Sequence, residues 1–265
     1  MRMLLSLLLL AAVLISFVMP LSTALASCEL DSNGESPARA TCEGPGSSSA
    51  EEAALLYLDG LKSMDLPKML SAFAVETYVD LYDFSAQLQT LGVYSPTMTI
   101  AYPSTNSLFR AINIESRRQD VMGRIKMQAA AFCAIYISGF DAFATIPFQG
   151  ENAIDSIRAF EGYLQISLDG MAFNKLVFTG FVSPSLLSDL YSDERLRQNM
   201  AQEAARFGAD ELQSIVAGFS IDDQSFLFCC DALRYGDKWY LESLGGHIGQ
   251  LINLPVGSGG IMPTE

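Results

Sequence analysis

Histidine and tryptophan each occur once in the 265 residues, and Lys plus Arg number 16 against 30 acids, for a net charge of −14. One histidine excludes a multi-histidine zinc site, and without a spare imidazole a Ser-His-Asp arrangement has a single candidate base. The shortage of basic residues argues against nucleic acid as a partner, because phosphates would find no excess of cations. No C-x-x-C pair occurs, which removes the zinc-ribbon and thioredoxin signatures, and no G-x-S-x-G elbow frames a nucleophilic serine. What the chain has in quantity is apolar: 50% hydrophobic residues, too many for a wholly disordered protein.

The apolar excess is concentrated at the start. Arg2 precedes an uncharged, Leu-rich stretch from Met3 to Met19, then Pro20 and a small-residue run ending Ala24-Leu25-Ala26-Ser27-Cys28. A positive start, an apolar middle and small residues before a cut site predict a signal peptide over residues 1–27. Ala24-Leu25-Ala26 fits ordinary cleavage, whereas Leu25-Ala26-Ser27-Cys28 resembles the lipobox of bacterial lipoproteins. That resemblance implies a diacylglyceryl thioether on Cys28, with the membrane as a partner through the lipid. The alternative is a secreted chain in which Cys28 pairs with Cys42. Loss of residues 1–27 removes Arg2 and no acid, so the remainder is more acidic still.

Residues 28–50 are rich in Ser, Gly, Pro and Glu and read as a flexible linker, since they offer little apolar surface to offset ordering entropy. A single domain is expected over 51–265. Ser48 and Glu51 fit a capping box. Ala53, Leu56, Tyr57, Leu61 and Met64 then mark a helix face, and Asp65 with Pro67 starts a second helix. The longest helical pattern runs from about Asn106 to Ser138, with Val121, Ile125, Ala129, Phe132 and Tyr136 aligned. Arg110, Arg117, Arg118, Arg124 and Lys126 gather there. Either they bind an anion or acidic partner, or they form a solvated face laced by pairs such as Asp120–Arg124.

Beyond Gly150 the period shortens. Leu164, Ile166 and Leu168 alternate as a strand, Asp169-Gly170 supplies a turn, and Leu176 to Val182 reads as the returning strand. Pro184 to Phe207 returns to helix. The last hairpin sets Phe226, Phe228, Cys230 and Ala232 on one face, turns at Tyr235-Gly236-Asp237, and returns through Trp239 and Leu241. Gly257 to Gly260 reads as a frayed tail.

Helices followed by antiparallel strands predict an α+β fold with helices packed on one face of a curved antiparallel sheet. Three pieces resemble the nuclear-transport-factor-two-like superfamily: the helix Ala53–Leu61, the restart Met64–Leu70, and the hairpin Arg234–Leu241. The chain also resembles uncharacterised lipoproteins of Gram-positive bacteria. The superfamily resemblance implies a cone-like sheet, here with an extra helical insertion between about 85 and 160, and a superfamily that contains isomerases, dehydratases and binding-only proteins.

For chemistry, Glu76, Asp80 and Asp83 fall at i, i+4 and i+7, where one carboxylate could act as a base or the three could hold a cation. His247 sits in a Gly-rich turn. Cys229 and Cys230, adjacent on a strand, should point to opposite faces as free thiols. No cofactor or metal is implied. The expectation is an extracytoplasmic, lipid-anchored binding or accessory protein whose ligand is an unidentified small molecule or protein. The alternative is a small-molecule enzyme of isomerase, dehydratase or hydrolase type, with a carboxylate in a cone-shaped pocket lined by residues such as Tyr57, Phe73, Phe228 and Trp239.

Overall fold

In a computed structural model of the chain, residues 43–93, 103–138, 173–254 and 258–264 are described. The signal peptide, Cys28, Cys42 and the expected strand 163–168 with its turn lie outside them. Helix α1 (Ala50–Ser63) is capped by Ser49, whose hydroxyl accepts from the Glu52 amide at 3.1 Å, while Glu52 accepts from the Ser48 amide. The capping box is therefore one residue later than Ser48–Glu51 predicts. Helix α2 (Leu66–Ser71) starts as expected at Asp65, which accepts from the Lys68 amide at 3.0 Å. Helices α3 (Glu76–Leu81) and α4 (Phe84–Leu91) follow, then the long α5 (Ser107–Ser138).

Strand β1 (Val177–Phe181) leads into a short helix α6 (Pro184–Leu187), a 3₁₀ turn at Asp189–Ser192, and helix α7 (Glu194–Arg206). Strands β2 (Glu211–Ile221), β3 (Gln224–Tyr235) and β4 (Lys238–Leu244) form an antiparallel meander, followed by helix α8 (Gly246–Leu251) and β5 (Ile261–Thr264). The sheet order is β1-β2-β3-β4, with β5 also on β3. Strands β4 and β5 lie end to end along the same edge of β3, since β4 pairs with Cys230–Tyr235 and β5 with Ser225–Phe228. At their junction the Cys229 amide donates to Gly260 at 2.7 Å and the Cys229 carbonyl accepts from Gly245 at 2.8 Å. A Cβ on Gly260 would lie 2.2 Å from that carbonyl oxygen, so the junction requires glycine. The tail is thus not frayed at its described residues: Ile261 is part of the core.

The period of two along β2 and β3 divides the sheet into two apolar faces. Ile215, Ala217, Phe219, Phe226, Phe228 and Ala232 meet Tyr57, Leu61 and Phe73 of the first helices and their exit, and Val121, Ile125 and Phe132 of α5. On the other face, Met200, Ala204 and Phe207 pack on Leu212, Leu233 and Tyr235, and Ile248 of α8 packs on Val216, Leu227 and Cys229. Fold class is α+β as expected, but helices cover both faces of the sheet rather than one, because β2 and β3 are apolar on both sides. Because both faces are covered, β2 lacks the apolar–polar alternation of a half-exposed strand. Among the described residues, no helix is long and apolar enough to cross a membrane.

Residues 43–49 are not free linker. The Gly44 amide donates to Ser71 at 3.1 Å, and Ser47 exchanges two 2.9 Å backbone bonds with Trp239 on the outer edge of β4. The Glu43 carboxylate accepts from the amides of Val75 (2.6 Å) and Thr77 (2.9 Å), and from the Thr77 hydroxyl. Val75 makes no side-chain cap of its own, so an acid from far upstream satisfies the orphan donors at the start of α3. Residues 43–49 are therefore packed as part of the domain.

Candidate functional site

The most concentrated polar cluster lies on the α7–α8 face of the sheet. Asp231 projects from β3 and is almost wholly buried. One carboxylate oxygen accepts from the Ser214 hydroxyl on β2 at 2.6 Å. The other accepts from the His247 amide at 3.0 Å and lies 2.7 Å from His247 Nδ1. The second ring nitrogen, Nε2, faces Glu203 of α7 at 3.4 Å. Gly245 and Gly246 both have positive φ, and a Cβ on Gly246 would sit 2.3–2.7 Å from the Asp231 carboxyl atoms. Only glycine lets α8 begin so close to the sheet.

The electrostatics follow from this geometry. Hydrogen bonds to Asp231 first, and to Glu203 second, hold the His247 imidazolium up to about 10. Glu203 is lowered by its bond to His247. The Ser214 hydroxyl donates to Asp231 rather than to the imidazole, so the grouping lacks the serine-to-histidine contact by which a base activates a nucleophile. A histidine already protonated at neutral pH has no lone pair to offer as a base. The cluster ties β2, β3, α7 and α8 together. Next to it, the Tyr191 hydroxyl accepts from the Ser214 amide at 3.2 Å. Tyr191 also lines a groove of about 520 Å³ with Ser183, Arg197, Met200, Leu212 and Gln213.

Sequence reading misses this cluster. It treats His247 as a turn residue, whereas the ring is an internal ion-pair member, joined to Asp231 and Glu203 by tertiary packing that leaves no local motif. The carboxylate triplet, conversely, does not form. Helix α3 ends at Leu81, so Asp83 lies outside it and caps α4 through the Ala86 amide at 2.9 Å. Asp80 is held by Arg110 through two 2.6 Å bonds. Glu76 is raised, first by burial and then by Glu43. Neither Glu76 nor Asp80 lines the 520 Å³ groove or the 380 Å³ one beside Thr77, Tyr235, Lys238 and Tyr240. Among the described residues, no group of three His, Cys, Asp or Glu is placed to hold a metal.

The basic cluster is also more than a solvated face. The Asp120–Arg124 pair forms at 3.0 Å, but Arg117 is only 7% exposed. Its guanidinium donates to the carbonyls of Ala74 (3.3 Å) and Glu242 (3.2 Å), lies 3.6 Å from the Glu242 carboxylate, and covers the Tyr78 ring at 4.2 Å. Burial pushes Tyr78 up to about 12. Arg117 is thus committed to the protein interior, while Arg124 reaches the Glu242 carbonyl at 3.4 Å from a partly exposed position.

Three of the four aromatics that could have lined a cone are core, and the fourth, Trp239, is half-buried. Tyr57 stacks on Phe228 at 5.4 Å and meets Phe73 edge-on at 5.7 Å, all three without exposed surface. The Tyr57 hydroxyl donates to Gln128 Oε1, and Gln128 donates to Gly259 at 2.5 Å, so even the polar atoms of this layer are paired. Cys229 and Cys230 are free, buried and on opposite faces as expected. Burial raises both thiols, Cys229 to about 12.

No protein-family profile matches the chain, and no curated protein matches it. A structural comparison finds likeness to a cystatin-like protein from Ruminococcus gnavus ATCC 29149, at 17% identity and a TM-score of 0.46, over 82% of this chain and 45% of that one. The chain therefore spans about half the length of that protein.

Proposed function

We propose that this is an extracytoplasmic protein, held to the membrane by a lipid on Cys28, that acts as a binding or accessory module rather than as an enzyme. The observation that supports the non-catalytic reading is the engagement of Asp231: its buried carboxylate takes three donors from Ser214 and His247. The one imidazole is spent on the same cluster. An acid–base catalyst needs a titratable group facing substrate, and here His247 is held between Asp231 and Glu203. Binding then falls to the outer grooves, of which the larger combines Tyr191 and Met200 with the polar side chains of Arg197 and Gln213. The anchor rests on the Leu25-Ala26-Ser27-Cys28 run behind its apolar leader. The resemblance to Gram-positive lipoproteins and to the nuclear-transport-factor-two-like superfamily fits this reading, since that superfamily includes binding-only proteins.

Intact-mass analysis of membrane-fraction protein tests the anchor. Cleavage before Cys28 with a lipid-sized mass increment, lost in Cys28→Ala, is the expected result. A chain that retains Met1, or that starts near Cys28 with an unmodified thiol, refutes it.

A further inference from the structure

Strand β2 is 11 residues long, but β1 accompanies only part of it. The β1 register covers residues 217–220, and one further bond runs from the Val182 amide to the Val216 carbonyl at 2.9 Å. Pro184 then opens α6, with no amide to continue the ladder. Among the described residues, no strand pairs with residues 211–215 on that side.

Which backbone groups face this open edge follows from the alternation along an antiparallel strand. Val216 turns its carbonyl outward to Val182, and the Ser214 amide donates outward to the Tyr191 hydroxyl at 3.2 Å. The Ser214 carbonyl faces the same way. Two residues on, Leu212 sets both its N–H and its C=O toward this side.

The 520 Å³ groove lies along the same edge. Leu212 packs on the α7 face of the sheet, while Gln213 shares its parity with Ile215 and Ala217 of the other face. A groove lined by both side chains must open at the edge of the strand, because neither face presents the two together. Ser183, beyond β1, and Tyr191 also line it, as do Arg197 and Met200, three apart on α7.

Its charges are unequal in their freedom. Asp210 and Glu211, at the start of β2, are engaged by the Gly236 amide at 2.8 Å and by Arg234 at 3.1 Å. Arg197 is steadied by the Ser192 carbonyl at 2.7 Å. Its one carboxylate neighbour, Glu194 at 3.4 Å, forms an i,i+3 pair with both side chains mostly in solvent, and such pairs hold weakly. Arg197 is therefore the charge that the groove presents.

We propose that this groove takes a short extended peptide, which pairs its backbone with Leu212 and Ser214 as an added strand and sets a carboxylate side chain against Arg197. The proposal rests on the binding-module reading and names its occupant. Leu212 supplies one donor and one acceptor, and Ser214 a second acceptor, at the two-residue spacing of a ladder. Having accepted from Ser214, the Tyr191 hydroxyl keeps its own proton for the peptide carbonyl that would otherwise meet that amide. An extended backbone carries donors and acceptors at this repeat by construction.

The test titrates isotope-labelled full chain with the pentapeptide acetyl-Thr-Val-Xaa-Val-Thr-amide, where Xaa is Asp, Asn or Lys. The Asp peptide should shift the Leu212 and Ser214 amide NMR signals saturably at millimolar concentration, binding at least fivefold more tightly than the other two. Arg197→Glu should reverse the order in favour of Lys. Methylating the peptide nitrogens one at a time should abolish binding at every second residue and spare those between, which reads the ladder without altering the protein.

Binding indifferent to the methylation pattern overturns the added strand, as does the absence of any shift at Leu212 and Ser214 with all three peptides. An unchanged order in Arg197→Glu overturns the carboxylate contact. Should that variant not fold, Arg197→Gln is read instead, and it should erase the preference for Asp. If the peptides fail while a small-molecule library shifts the same signals, the peptide is overturned and the binding-module reading survives. Silence from both overturns the peptide and takes this groove out of that reading.

Discussion

Replacing Asp231 with Asn tests the ion-pair cluster most directly, because it changes charge and donor pattern with almost no change in shape. A histidine held at about 10 instead of 6.5 is bound as the cation by roughly 5 kcal/mol relative to the unfolded chain. Asp231 is the larger of its two supports, and removing one partner of a buried pair typically costs about 3–5 kcal/mol. The Asn oxygen can still accept from His247 and its N–H can donate to the Ser214 hydroxyl, which accepts as well as donates, so the loss reports the missing charge. We expect Asp231→Asn to lose about 3 kcal/mol of unfolding free energy in urea, read by Trp239 emission. The pH dependence has a definite sign. A raised histidine stabilises fully below about 6.5 and loses its contribution as pH rises toward 10. The stability gap between the native protein and His247→Gln should therefore be widest near pH 6 and shrink in alkali. It should also narrow in acid as Glu203, lowered in the fold, becomes protonated. The single histidine gives one imidazole NMR titration. A midpoint near 6.5, or a loss below about 1 kcal/mol in Asp231→Asn, would refute the reasoning.

Two other perturbations probe how the domain is closed. Glu43→Gln keeps the shape of the α3 cap but removes its charge. It should cost about 1–2 kcal/mol and speed proteolysis within residues 43–49, measured by limited digestion at fixed temperature. Gly208→Ala should be far more damaging, because its Cβ would lie 1.7 Å from the Leu81 carbonyl oxygen at a positive φ. We expect a drop in melting temperature of more than about 10 °C, or loss of soluble protein, whereas Gly236→Ala, with open space at the same sign of φ, should be much milder.

The elements that sequence reading locates are those with a strong local signal. Asp65 caps α2, Val121, Ile125 and Phe132 face inward on α5, and Phe226 to Ala232 line one side of β3, all as the spacing predicts. Strand β2 escapes because Ser214, Ala217 and Gly218 break its apolar pattern and both its faces are buried. Its signal was the pair of acids at Asp222-Asp223, where Asp222 takes a positive φ in the two-residue turn to β3. The helix break at Tyr82 separates Asp83 from Glu76 and Asp80, and spacing alone carries no trace of it. The Asp231–His247–Glu203 cluster is invisible for a different reason. Its members come from β3, α8 and α7, and only the packed fold brings them together.

The short seam made by residues 43–49 also has a mechanical consequence. A pull arriving from residue 42 meets the Glu43 clamp on α3 first, then the Gly44–Ser71 bond, and only afterwards the two bonds between Ser47 and Trp239. Contacts loaded one after another peel at lower force than contacts loaded together. The seam would thus yield first under tension, paying out a few residues of slack and sparing the aromatic layer beneath it.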